Sequence, residues 1–151
     1  MHLTRRQALA LSAGAAALAA AGFDAPAALA DAAATEKSLM EFTGGKKPET
    51  GKITLNTPEI AENGNTVPIS VSVNSPMTDK NYVQAVMLLA DGNPNPGVIT
   101  FHFTPMSGQA SATTRMRLAK TQNVLAIAKM SDGSVYMDKK QVKVTIGGCG
   151  G

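Results

Sequence analysis

Residues 66–74 read TVPISVSVN. In an extended chain Val67, Ile69, Val71 and Val73 fall on one side, and Pro68, Ser70 and Ser72 on the other. Alternation of β-branched apolar residues with small polar ones is the pattern of a half-buried strand. Pro68 cannot donate to a ladder, which points to an edge strand or a strand start. The same period spreads outward. Upstream, KITLN (52–56) alternates. Downstream, NYVQAVMLLA (81–90) is more uniformly apolar and reads as a central strand, closed by the turn cluster DGNPNPG (91–97). VITFHFT (98–104) sets Val98, Thr100, His102 and Thr104 against Ile99, Phe101 and Phe103. SATTRMRLA (111–119) sets Ala112, Thr114, Met116 and Leu118 against Thr113, Arg115 and Arg117. NVLAIAKMS and SVYMDKKQVKVTI complete the set, with a hairpin signal at Ser131-Asp132-Gly133. About seven strands joined by short turns predict an all-β, immunoglobulin-like antiparallel sandwich over residues 52–146. Ahead of it, residues 31–51 read as a short helix and linker. Thr35 is placed to cap the helix, Leu39, Met40 and Phe42 give it an apolar face, and Gly44-Gly45 stops it.

The first thirty residues read as a targeting segment. Arg5 and Arg6 precede an apolar run of about 15 residues, short of the roughly 20 that span a bilayer, and Ala28-Leu29-Ala30 fits small-x-small cleavage. The expectation is twin-arginine export to the periplasm. Removing residues 1–30 takes Lys+Arg from 14 to 12 and Asp+Glu from 11 to 10, so the exported chain carries a net charge of about +2. No basic run exceeds two residues, which argues against a nucleic-acid surface. His102 is the one histidine left, too few for a zinc site or a choice of catalytic triads. On a strand face it reads as a histidine bonded to backbone or water. Asp91, Asp132 and Asp138 lie in or beside turns, where carboxylates cap amides, and the scattered methionines read as gap fillers.

That leaves the stretch VTIGGCGG (144–151) and the single cysteine, Cys149. One cysteine makes no internal disulfide. Gly147, Gly148, Gly150 and Gly151 offer no side chains and much backbone freedom, so they read as a flexible arm, residues 147–151. The five residues beyond Ile146 extend roughly 16–18 Å. No cation lies nearer in sequence than Lys143, so the thiol has no evident activator and the chemistry belongs to other proteins. No cofactor motif is present. Export of an already folded chain suits a partner that rides along without its own signal. A structural or adhesion module dimerising through Cys149 is the alternative, and would bury the cysteine. A redox enzyme would need a second cysteine or a basic neighbour.

The GGCGG ending, with PEIAENGNTVP (58–68) inside FTGGKKPETGKITLNTPEIAENGNTVPISVSVNSPMT and with DGNPNPGVITFHFTP, resembles the SoxY family of the thiosulfate-oxidising (Sox) system over nearly all of the exported chain. The resemblance implies a sulfur carrier that is not itself an enzyme and that pairs with SoxZ. Cys149 would be joined to thiosulfate by the haem protein SoxXA, relieved of sulfate by the hydrolase SoxB, and, where one is present, regenerated by a sulfane dehydrogenase. Thr100 and His102 depart from that family's pattern and read as drift on a surface or partner-facing strand. A β-branched residue at Gly148 is expected to slow turnover by partners and leave the fold intact.

Overall fold

The computed structural model describes residues 27–148. The TVPISVSVN stretch forms strand β3 (Val67–Val73), and the four residues of its apolar side are buried. β3 lies between β1 (Ile53–Asn56) and β6 (Ala110–Met116) in a three-stranded sheet. Pro68 is thus not on an edge strand, but it does stand at a strand start. β1 pairs only with Ser70 to Val73, so at Pro68 the strand has β6 alone as a neighbour and β1 loses no hydrogen bond to the proline.

The second sheet has five strands in the order β2-β8-β7-β4-β5. Its members are β2 (Ile60–Asn63), β4 (Val83–Ala90), β5 (Gly97–His102), β7 (Gln122–Met130) and β8 (Val135–Ile146). The two sheets make the all-β sandwich. Every pair is antiparallel except β2–β8, which runs parallel. β2 has no apolar alternation and buries only Ala61, which is why its sequence carries no strand signal. Between the sheets Val67, Ile69, Val86, Leu88, Val124 and Val142 are almost fully buried, each contributing about 1.5–3 kcal/mol. Asp138, expected beside a turn, sits within β8. Its carboxylate accepts the Leu55 N–H (2.9 Å) from the opposite sheet, tying the two layers together.

β4 and β7 are buried on both faces because a helix covers the outer side. Helix α1 runs from Ala27 to Thr43. It begins ahead of the predicted capping position, since alanine-rich sequence is strongly helix-forming, so Thr35 is a buried mid-helix residue and not a cap. Leu39 and Phe42, three apart on one face, pack on Met87, Leu89, Leu125, Ile127 and Val135. Met40 turns away and stays 55% exposed. Gly44 and Gly45 end the helix with φ of 67° and 82°, and the Gly45 N–H donates to the Met40 carbonyl. No described helix is long and apolar enough to cross a membrane.

Candidate functional site at the root of the tail

β8 leads into the glycine–cysteine tail, and three chain segments meet where it ends. The Gly64 N–H donates to the Ile146 carbonyl (2.7 Å), the Leu118 N–H to the Gly64 carbonyl (2.8 Å), and the Gly148 N–H to the Leu118 carbonyl (2.8 Å). The tail root is held between the turn after β2 and the segment joining β6 to β7. The approach is too close for side chains. A Cβ on Gly147 would overlap the Ala119 carbonyl oxygen. One on Gly148 would stand 2.7 Å from the Gly64 carbonyl oxygen, and one on Gly64 would overlap the Leu118 carbonyl oxygen and lie 2.7 Å from the Gly148 nitrogen. These neighbours are backbone and cannot swing aside.

This corrects the reading of Gly147 and Gly148 as a free leash. Gly148 is buried, and both residues are glycine because backbone passes against them. Cys149, Gly150, Gly151, Arg5 and Arg6 lie outside the described residues.

The segment that holds the tail is itself fixed from beneath. Asn93, 1% exposed, donates from Nδ2 to the Arg117 carbonyl (2.8 Å) and accepts at Oδ1 from the Ala119 N–H (3.0 Å). The same oxygen accepts from Gln122 Nε2 (2.8 Å), and Gln122 Oε1 accepts from the Gly92 N–H (2.7 Å). Asp91 adds bonds to the backbone and side-chain nitrogens of Asn123, at 2.8 and 2.7 Å. On the other side, the Val144 N–H donates to Thr121 Oγ1 (2.9 Å) and Thr145 Oγ1 to the Glu62 carbonyl (2.9 Å). Gly64, Asn93, Leu118 and Gln122 were not singled out in the sequence. Asn93 stands in an ordinary turn cluster there, and a backbone acceptor such as Leu118 O leaves no trace in residue identity.

Arg117 and Lys120, both exposed, flank Leu118 and Ala119 in sequence, with Arg117 standing beside Asn93, Asn95 and Val98 and the Lys120 side chain beside Gly92. His102 is exposed on the sheet-edge strand β5, opposite Ala85, and Thr100 is likewise exposed. Asp132 accepts from the Ser134 hydroxyl and backbone N–H, which holds its carboxyl below the usual aspartate value. Among the described residues no group of three or more His, Cys, Asp or Glu comes together.

Fold and site define a class: a two-sheet β-sandwich in which a single cysteine follows directly on an anchored strand end. The profile of the sulfur oxidation protein SoxY family matches residues 39–149, its last matched position being the cysteine. Among solved structures, the sulfur carrier protein SoxY from Chlorobium limicola f thiosulfatophilum is 30% identical, with a TM-score of 0.62 over 76% of this chain and 99% of that one. The chain belongs to the SoxY family. A superoxide reductase (neelaredoxin) from Ignicoccus hospitalis is 19% identical, with a TM-score of 0.57 over 63% of this chain and 81% of its own. The superoxide reductase from Nanoarchaeum equitans is 15% identical, with a TM-score of 0.53 over 63% and 97%. These two share the fold alone. No curated protein matches the chain.

Proposed function

We propose that this protein is a periplasmic sulfur carrier, loaded covalently on Cys149 and acted on by partner enzymes while performing no catalysis itself. The observation that carries the reading is the family match running through to Cys149. Support comes also from the tail root, where the glycine that precedes Cys149 in sequence is bonded to the body of the fold.

In this reading the Cys149 thiol and thiosulfate lose two electrons and one proton as the S–S bond forms, giving a cysteine S-thiosulfonate. The electrons pass to the haem of SoxXA. Hydrolysis by SoxB then breaks the bond to the terminal sulfonate: water supplies an oxygen, sulfate leaves, and a persulfide remains on Cys149. A sulfane dehydrogenase, where present, oxidises that sulfur further. This chain supplies the sulfur atom and the approach, and needs no cofactor. SoxZ is the stable partner, and the Arg5-Arg6 signal exports the folded pair.

The test is intact-protein mass spectrometry of the periplasmic protein under non-reducing conditions, with thiosulfate fed to the cells. Adducts of about 32 Da (persulfide) and about 112 Da (thiosulfonate) are expected on the tail peptide, lost on reduction and absent in Cys149→Ser. Free thiol together with only a disulfide-doubled mass would overturn the carrier reading in favour of a dimerising module.

A further inference from the structure

We propose that Gly64 is a positioning residue for Cys149: by holding the tail at Gly148, it fixes the point from which the cysteine leaves the body. Three observations meet here. The carbonyl of Gly64 accepts from Leu118, whose own carbonyl accepts from Gly148, and the N–H of Gly64 holds Ile146. A Cβ at Gly64 would strike both Leu118 O and the Gly148 nitrogen. The platform under Leu118 is pinned by the buried Asn93–Gln122 pair. Residue 148 is therefore fixed to the sandwich and residue 149 is one step away. Among the described residues the last fixed point of the chain is Gly148, beside Gly64 and Asn65, and not Ile146. A partner's reactive centre must come up to this end of the sandwich, or draw Gly148 off Leu118 first.

The use of this arrangement rests on the carrier reading, but its existence does not, and the experiment separates the two. Amide hydrogen exchange is measured by NMR on the 15N-labelled mature protein. The Gly148 amide is expected to exchange at least about tenfold slower than that of Gly150, and to lose that protection in Gly64→Ala while Leu88 in the core keeps its own. Because Cys149 is the only cysteine, its reaction rates with a small aromatic disulfide and with a protein-sized maleimide are then compared. The large-to-small rate ratio should rise at least about threefold in Gly64→Ala and stay unchanged in Val71→Ala, a core variant that loosens the fold elsewhere. Should Gly64→Ala fail to fold, Gly148→Ala tests the same contact from the tail side, its Cβ facing the Gly64 carbonyl at 2.7 Å. A Gly148 amide as fast as that of Gly150 in the unaltered protein, or a rate ratio unmoved in the glycine variants, overturns the proposal. Absence of sulfur adducts would sink the carrier reading and leave the exchange result standing.

Discussion

Replacing Asn93 by alanine tests whether the platform under the tail is built as described. The side chain is 1% exposed and makes three bonds, to the Arg117 carbonyl, the Ala119 N–H and the Gln122 amide. Alanine removes all three. Gln122 Nε2 retains the Lys120 carbonyl at 3.1 Å, so its loss is partial. The Arg117 carbonyl and Ala119 N–H lose the Asn93 side chain in a part-buried setting. At about 1 kcal/mol for each lost bond, the expected destabilisation is roughly 3 kcal/mol. For a domain of about 120 residues that lowers the midpoint by roughly 10 °C. The assay is thermal unfolding of the mature protein followed by far-ultraviolet circular dichroism at pH 7. Asn93→Asp, which buries a carboxylate and turns one of its oxygens on the Arg117 carbonyl, should destabilise at least as much as alanine. A second readout ties the effect to the tail: exchange at Ala119 and Gly148 should accelerate more than at Leu88. A midpoint within about 2 °C of the parent protein would mean that water replaces the Asn93 bonds at no cost, and the rigid platform would have to be abandoned.

Other consequences follow from single contacts. Asp138→Ala removes the carboxylate that ties β8 to Leu55 across the sandwich; a bond to a charged acceptor is worth about 1.5–3 kcal/mol, so chemical denaturation should show a loss in that range, with Asp138→Asn recovering part of it. Asp132 has its carboxyl lowered from 3.8 by the Ser134 hydroxyl bond. A depressed pKa gives a contribution present above the unfolded value and lost as pH falls through the folded one, so a carboxyl NMR titration should place Asp132 below 3.8 and Ser134→Ala should move it back up.

The parts of this fold that were legible in the sequence are those where one residue's chemistry decides one contact. Val67, Ile69, Val71 and Val73 announce a buried strand face because period-two alternation has no other stable use. Gly44 and Gly45 announce a helix end because of the conformations they adopt there. Helix α1 exceeded its expected start because the cap at Thr35 was read locally, whereas the alanines before it let the helix begin at Ala27. β2 escaped notice because a parallel strand at a sheet edge can be held through its backbone to β8 with one buried side chain. The candidate site divides the same way. Cys149 and the glycines stood out by type, but the role of Gly147 and Gly148 was taken from their freedom and not from what lies against them. Their contact with Gly64 and Leu118 joins residues far apart in sequence through backbone atoms that every residue shares. No composition or spacing signals such a contact.

Fixing the tail root trades reach for direction. From Ile146 a free chain could carry Cys149 about 10–11 Å, whereas from a bonded Gly148 it moves about 3.8 Å. The volume open to the thiol shrinks by the cube of that ratio, about twentyfold, and its local concentration at the exit rises as much. A twentyfold gain corresponds to roughly 1.8 kcal/mol, close to the ~1.4 kcal/mol of opening that tenfold exchange protection at Gly148 represents. The two terms are nearly matched. A partner that meets the cysteine at the exit gains from the held tail, while one with a recessed reactive centre needs only to break the Gly148–Leu118 bond, which its own contacts with the glycines can replace. Glycine suits both demands: it allows the close backbone crossing when held, and leaves no side chain to obstruct a narrow channel when released.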